Sequence, residues 1–181
     1  MPGEPEAYGL LALMLHCEAR RGARYTSDGK FVPVDQQDTA LWSQSMIDEA
    51  EGYLHSAAAF KRMGRYQLEA AIQSLHANRS KTGRIDWKEI ALLYEGLVRI
   101  APGIGCLVGR AVAIAQAGEP AAGFAALEQI PLDRTADYQP YWAARGHLLR
   151  LLNRKDEARE AFYRAASLTD DPALREYLLG R

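Results

Sequence analysis

Residues 138–168 read YQPYWAARGHLLRLLNRKDEAREAFYRAASL. In this stretch Trp142, Gly146, Ala158, Phe162 and Ala165 fall on positions 4, 8, 20, 24 and 27 of a tetratricopeptide-type helical hairpin. Thirty-five residues upstream, Leu107, Ala111, Gly123, Leu127 and Ile130 take the same positions. The spacing predicts an all-α fold. Antiparallel helical hairpins stack as a tetratricopeptide-like superhelix, each burying its small-residue face against the next. Such stacks mostly present surfaces to partners, which argues against an enzyme.

Outward from this core the helical signals continue. Ile90, Tyr94, Leu97 and Pro102 match positions 20, 24, 27 and 32, so residues 66–102 read as a degenerate third hairpin with a longer inter-helix loop. Its first helix runs from about Tyr66 to Asn78, with Leu68, Ile72 and Leu75 buried, and residues 79–84 form a loop. Asp86 and Glu89 make a capping box for the next helix. Further down, Pro120 opens one helix and Asp171-Pro172 starts a short terminal one. Glu4-Pro5-Glu6 opens the first helix, whose stripe is Leu10, Leu11, Met14 and Leu15, and Gly22 stops it. Asp28-Gly29 sits between short β-prone runs and predicts one small β-hairpin near residues 24–34. Asp38 caps a long second helix to about Arg62, with Trp42, Met46, Ile47, Leu54 and Ala57 inward. The expectation is one helical domain over 1–181, in two parts: 1–65 (helix, β-hairpin, long helix) and 66–181 (hairpins).

Composition sets the function classes. The chain has 181 residues, 48% apolar and 25% charged, with a net charge of −1. Such a chain exerts no general electrostatic pull on nucleic acid or an acidic membrane. Its strongest apolar run, Leu10 to Leu15, is too short to span a bilayer. The two cysteines, Cys17 and Cys106, lack paired spacing and read as reduced core thiols of a cytoplasmic protein. None of His16, His55, His76 and His147 stands at metal-ligand spacing. Gly103-Ile104-Gly105 reads as a turn rather than a phosphate loop. No catalytic residue, metal or cofactor is expected.

Two groups of residues stand out as candidate interaction surface. Arg20, Arg21 and Arg24 cluster at a helix end, where they suit an acidic partner or the helix dipole. The polar run Asp35-Gln36-Gln37-Asp38 ahead of Trp42 has the form of a docking loop. Trp87 and Trp142 sit at hairpin core positions as packing anchors.

Leu10-Leu11-Ala12-Leu13-Met14-Leu15-His16, followed by Ala19-Arg20-Arg21 and Ala23-Arg24, resembles a block of bacterial RNA polymerase sigma factors. The class is the extracytoplasmic-function type, in the subgroup with a long tetratricopeptide-like C-terminal extension. The resemblance continues through Asp28-Gly29, Gln37-Asp38, Trp42, Tyr66-Gln67-Leu68, Ala70-Ala71-Ile72, His76-Ala77, Asp86-Trp87 and Leu93-Tyr94. It reaches Arg110-Ala111-Val112-Ala113, Gly118 with Pro120, Ala143-Ala144-Arg145 and Glu157-Ala158. Departures are Gln36 for an acid, Thr39 and Ala40 for Arg and Ser, Gly109 for Asn, and Ile104 for a second proline.

The resemblance implies a regulatory C-terminal domain that contacts sigma core domains or polymerase. Arg20, Arg21, Arg24, Gln37, Asp38, Trp42, Tyr66, His76 and Arg110 are the candidate interaction surface. The partners implied are RNA polymerase and the factor's own DNA-binding domains; promoter DNA is reached only through those missing N-terminal domains. A stretch like Met1 to Glu6 lies internally in that family, so Met1 reads as an internal methionine of a longer parent. Two alternatives remain: a freestanding tetratricopeptide-type peptide-binding scaffold, and a small-molecule sensor or enzyme using a pocket near His76, Trp87 and Arg110.

Overall fold

The computed structural model describes residues 4–181; Met1, Pro2 and Gly3, and the expectation for Met1, lie outside the described residues. Among these residues the chain is all-helical and falls into two compact units. The first comprises residues up to Thr26 together with Val32–Ala101, and the second comprises Ser27–Phe31 with Pro102–Arg181.

In the first unit the helices are α1 (Pro5–Ala19), α2 (Gln44–Ala58), α3 (Arg65–Ala77), α4 (Arg79–Thr82) and α5 (Trp87–Ile100). Pro5 lies in the first turn of α1, where its missing N–H costs nothing. α1 packs against both α2 and α3, and α3 packs against α5. The buried side of α1 is Pro5, Gly9, Ala12, His16 and Ala19; of the expected stripe, Leu10, Leu11 and Met14 are exposed, and Leu15 is half-buried against the Ala12, Ala50 and Ala70 cluster. Small residues win that face because the partner helix is so close. A Cβ on Gly9 would stand 2.6 Å from the Gln67 backbone nitrogen.

The start of α3 is capped from another helix. The Glu6 carboxylate accepts from the amides of Tyr66 (3.0 Å) and Gln67 (3.2 Å). Those two N–H groups are orphan donors at the positive end of the α3 dipole. The Gln67 side chain is buried and donates to the Arg62 carbonyl at 2.7 Å. At the entry to α5, the Asp86 carboxylate accepts from the Glu89 amide at 3.1 Å, half of the expected capping box.

Three expectations for this unit are corrected. No β-hairpin forms: residues 24–34 hold no strand, and the Val32 amide donates to the Arg24 carbonyl at 2.8 Å. A lone turn without flanking paired strands lacks the ladder that stabilises a sheet. Asp38 caps only a 3-10 turn, Thr39–Leu41, and α2 begins at Gln44. The chain leaves helical geometry there because the Ser43 amide donates to the Ala19 carbonyl at 2.9 Å. Residues 79–82, expected as loop, form α4, closed by Gly83 in the left-handed conformation at φ 71°.

In the second unit the helices are α6 (Ile104–Gln116), α7 (Pro120–Glu128), α8 (Leu132–Thr135), α9 (Gln139–Leu151), α10 (Lys155–Ser167) and α11 (Pro172–Leu179). α6 pairs with α7 and α9 with α10 through three-residue connections, as helical hairpins. α9 also packs on α6 and α7. Within each hairpin a glycine lets the helices approach closely. A Cβ on Gly123 would stand 2.6 Å from the Ala111 carbonyl, and one on Gly146 would stand 2.8 Å from the Phe162 ring. Leu127, Ile130, Ala158, Phe162 and Ala165 are buried around these contacts. The short α8 has no periodic signal in the sequence; the Trp142 indole donates to the Thr135 and Ala136 carbonyls at 3.1 Å and holds it. Asp171 caps α11 through the Ala173 and Leu174 amides at 2.9 and 3.3 Å. Cys17 and Cys106 are not disulfide-bonded, and both are half-buried rather than in the core.

Gly123→Ala and Gly146→Ala are each expected to cost about 1–3 kcal/mol by overpacking. Gly52, in α2, provides the contrast, because a Cβ there would meet nothing within 4 Å. Gly52→Ala is expected to be neutral or stabilising by up to about 1 kcal/mol. Urea denaturation of the three variants checks the order.

Candidate functional site

The first unit gathers several of the singled-out residues around one guanidinium. The turn after Pro33 is set by its carbonyl, which accepts from the Gln36 and Gln37 amides at 2.8 and 3.1 Å. This turns the Gln37 side chain inward, where it is buried. Its Nε2 donates to the Val32 carbonyl at 3.1 Å, and its Oε1 accepts from the Trp42 indole at 3.2 Å. Trp42 packs with Ala19, Ala23, Ile47 and Ala77. Arg79, at the start of α4, donates to the Asp35 carbonyl, donates to the Gln37 carbonyl at 2.5 Å, and stacks over the Trp42 ring at 5.1 Å. A cation over an indole face adds electrostatic attraction to the packing.

Next to this cluster His76 lies edge-on to Trp87, with centroids 5.4 Å apart. Burial, reinforced by the positive charges of Arg20 and Arg79, pushes its pKa down to about 4. Arg20 is half-buried and donates to the Gln73 carboxamide oxygen at 2.5 Å. His16, one turn before it, is fully buried with no hydrogen-bond partner on either ring nitrogen. Its Nε2 is 3.4 Å from a Glu51 oxygen. Burial lowers its pKa more than that carboxylate raises it.

The nine candidate residues therefore divide. Gln37 and Trp42 are interior, and Arg20, Tyr66 and His76 are half-buried. Tyr66 gives its amide to Glu6, and its ring lies under the Arg65 guanidinium at 5.4 Å. Arg21, Arg24 and Asp38 are exposed. Arg21 pairs with Glu18 at 3.0 Å, and Asp38 accepts from the Ala40 amide at 2.9 Å. Arg110 is a half-buried residue of the second unit, on α6. Arg79 is the residue that sequence reasoning missed. Its signal is the helix-ending Gly83 four residues on, which marks residues 79–82 as a helical turn able to aim a side chain. These bonds tie the 33–43 segment to Arg79 and Trp42 and leave Asp38 and Leu41 exposed at its rim. Among the described residues no three His, Cys, Asp or Glu side chains come together as a metal-binding group, and no helix is long and apolar enough to cross a membrane.

Residues 1–58 match a family of unknown function (DUF6596). Over 177 residues the chain is 40% identical to "Uncharacterized protein R00370" of Rhizobium meliloti (strain 1021). The alignment takes in 98% of this chain and 42% of that relative, so the chain spans about two fifths of the relative's length. No solved structure matches the chain.

A histidine held neutral by the fold destabilises it in acid. His76 binds a proton readily when unfolded, near pH 6.5, but only near pH 4 when folded. Its contribution to stability is therefore complete above pH 6.5 and is lost as the pH falls toward about 4. Between about pH 7 and about pH 4.5 this loss is expected to reach about 2 kcal/mol. His16 acts in the same direction. Urea denaturation at the two pH values should show a smaller acid loss for His76→Gln than for the parent chain; an equal loss contradicts the assignment.

Proposed function

We propose that the chain is the regulatory C-terminal region of an extracytoplasmic-function RNA polymerase sigma factor, whose second unit winds as a tetratricopeptide-like superhelix. It works in the cytoplasm by contacts with sigma core domains or polymerase and carries out no catalysis itself. Promoter DNA is reached through domains outside this chain. The observation that carries the reading is the relative in which this whole region recurs as two fifths of a longer protein. An accessory region that accompanies other sequence is what a regulatory extension requires. Two further observations support it. The family match at residues 1–58 takes in the Leu10–Arg24, Asp28-Gly29, Gln37-Asp38 and Trp42 blocks of the sigma-factor resemblance. The fold also builds Gln37, Trp42, His76 and Trp87, all quoted for that resemblance, into or beside one cluster at Arg79.

A second reading, a freestanding peptide-binding scaffold, draws on a groove in the second unit. Tyr141, Trp142 and Arg145 line it with Glu128, Glu157 and Glu160. Glu128 pairs with Arg145 and Glu157 with Arg154, so the groove offers mainly the aromatic faces of Tyr141 and Trp142 to a peptide.

Deleting the region equivalent to this chain from the longer protein is expected to change promoter-dependent transcription in a reconstituted polymerase assay. The isolated chain is expected to show no salt-sensitive affinity for DNA. Unchanged transcription after the deletion overturns the proposal.

A further inference from the structure

The connection from α2 to α3 reads Phe60-Lys61-Arg62-Met63-Gly64. Phe60 and Met63 are 40% and 66% exposed, and Lys61 and Arg62 are exposed between them. Both ends of the connection are held. The Phe60 ring stacks on Tyr8 of α1 with centroids 6.3 Å apart, and Tyr8 stacks in turn on Tyr53 of α2 at 6.1 Å. At the other end Glu6 caps α3 in the space beside Gly64. Phe60 thus offers one side of a supported ring rather than a side chain that can swing out.

The backbone singles out Lys61. Its amide donates to the Ala58 carbonyl at 3.0 Å, so it closes the end of α2, and it stands in the left-handed region at φ 53°. Glycine is the usual residue where a helix ends this way, because a Cβ there meets the following carbonyl. A lysine held at that steric cost points to a use for its side chain. The charges are also unspent. Among the described residues neither the Lys61 nor the Arg62 side chain meets a carboxylate, whereas Arg65 nearby pairs with Glu69 at 2.8 Å. Two unneutralised cations between an aromatic face and a methionine call for a partner that brings negative charge and an apolar group together.

We infer that residues 60–63 are a docking site for an acidic protein segment that carries an aromatic or leucine side chain among its carboxylates. The carboxylates meet Lys61 and Arg62, and the apolar group covers Phe60 and Met63. A nucleic acid backbone answers the charges but leaves Met63 uncovered. A membrane surface needs apolar groups that can leave the protein, and Phe60 is stacked against it. The inference stands independently of the sigma-factor reading, because the chemistry of the site alone defines the partner.

Fluorescence anisotropy of a short labelled peptide of glutamates around one phenylalanine and one leucine, titrated with the 181-residue chain, tests it. Saturable binding is expected, and an all-glutamate peptide is expected to bind about tenfold more weakly. Arg62→Glu sets a like charge against the peptide and is expected to weaken binding by about tenfold. Lys61→Gly is expected to weaken binding by about threefold and at the same time to raise the urea midpoint of the chain. A merely structural lysine would not move the two readouts in opposite directions. Absence of saturable binding overturns the inference, as does binding indifferent to Arg62→Glu or a Lys61→Gly chain that binds as well as the parent or unfolds earlier. Tighter binding of a single-stranded oligonucleotide or of vesicles rich in phosphatidylserine, lost in the same variants, also overturns it by assigning the site to phosphate surfaces.

Discussion

Helix backbones in this protein come together where a side chain is missing. In the first unit Gly9 lets α1 meet the backbone at the start of α3, and Gly64 leaves room for Glu6 to reach the same point. A Cβ on Gly64 would collide with the Glu6 carboxyl group. The carboxylate then satisfies two amides that the helix itself leaves open. The same rule recurs in the second unit at Gly123 and Gly146, where α6 meets α7 and α9 meets α10. Close approach increases the dispersion contact each helix makes and leaves no space for water between them. At Gly9 the approach of the α3 backbone admits no side chain on α1, while Leu10, Leu11 and Met14 lie on the exposed side of the helix.

The cluster at Arg79 depends on this arrangement. α3 ends at Ala77, and α4 begins two residues later with Arg79. Once the start of α3 is pinned to α1, its far end fixes where that guanidinium emerges. From there it holds the Asp35 and Gln37 carbonyls and covers the Trp42 indole. A loop of polar residues is thus fixed by its backbone and by one inward-turned glutamine. Its exposed rim is Asp38 and Leu41.

Sequence periodicity shows the helices best where their packing follows a repeat. Gly123, Gly146, Ala158 and Phe162 are legible because hairpin contacts are local and recur at fixed spacing. Asp86 and Asp171 are legible as caps for the same reason. The first unit is harder to read. Which side of α1 is buried depends on α3, some sixty residues away, so the leucine stripe misleads. The break before α2 depends on the Ala19 carbonyl, and the aim of Gln37 depends on Trp42; neither leaves a local pattern. Arg20 and Gln37 stand out in the sequence as candidate surface, but their polar groups are spent on internal partners.

The central claim is that Gly64 is needed because Glu6 caps α3 across the space it leaves. A double-mutant cycle with Glu6→Ala and Gly64→Ala, followed by urea denaturation, tests it most directly. Each single change is expected to cost about 1–3 kcal/mol, since either one removes the cap. With Glu6 already cut back to alanine, the alanine at 64 is expected to cost less than about 0.5 kcal/mol, a coupling of about 1 kcal/mol or more. Costs that simply add would contradict the account.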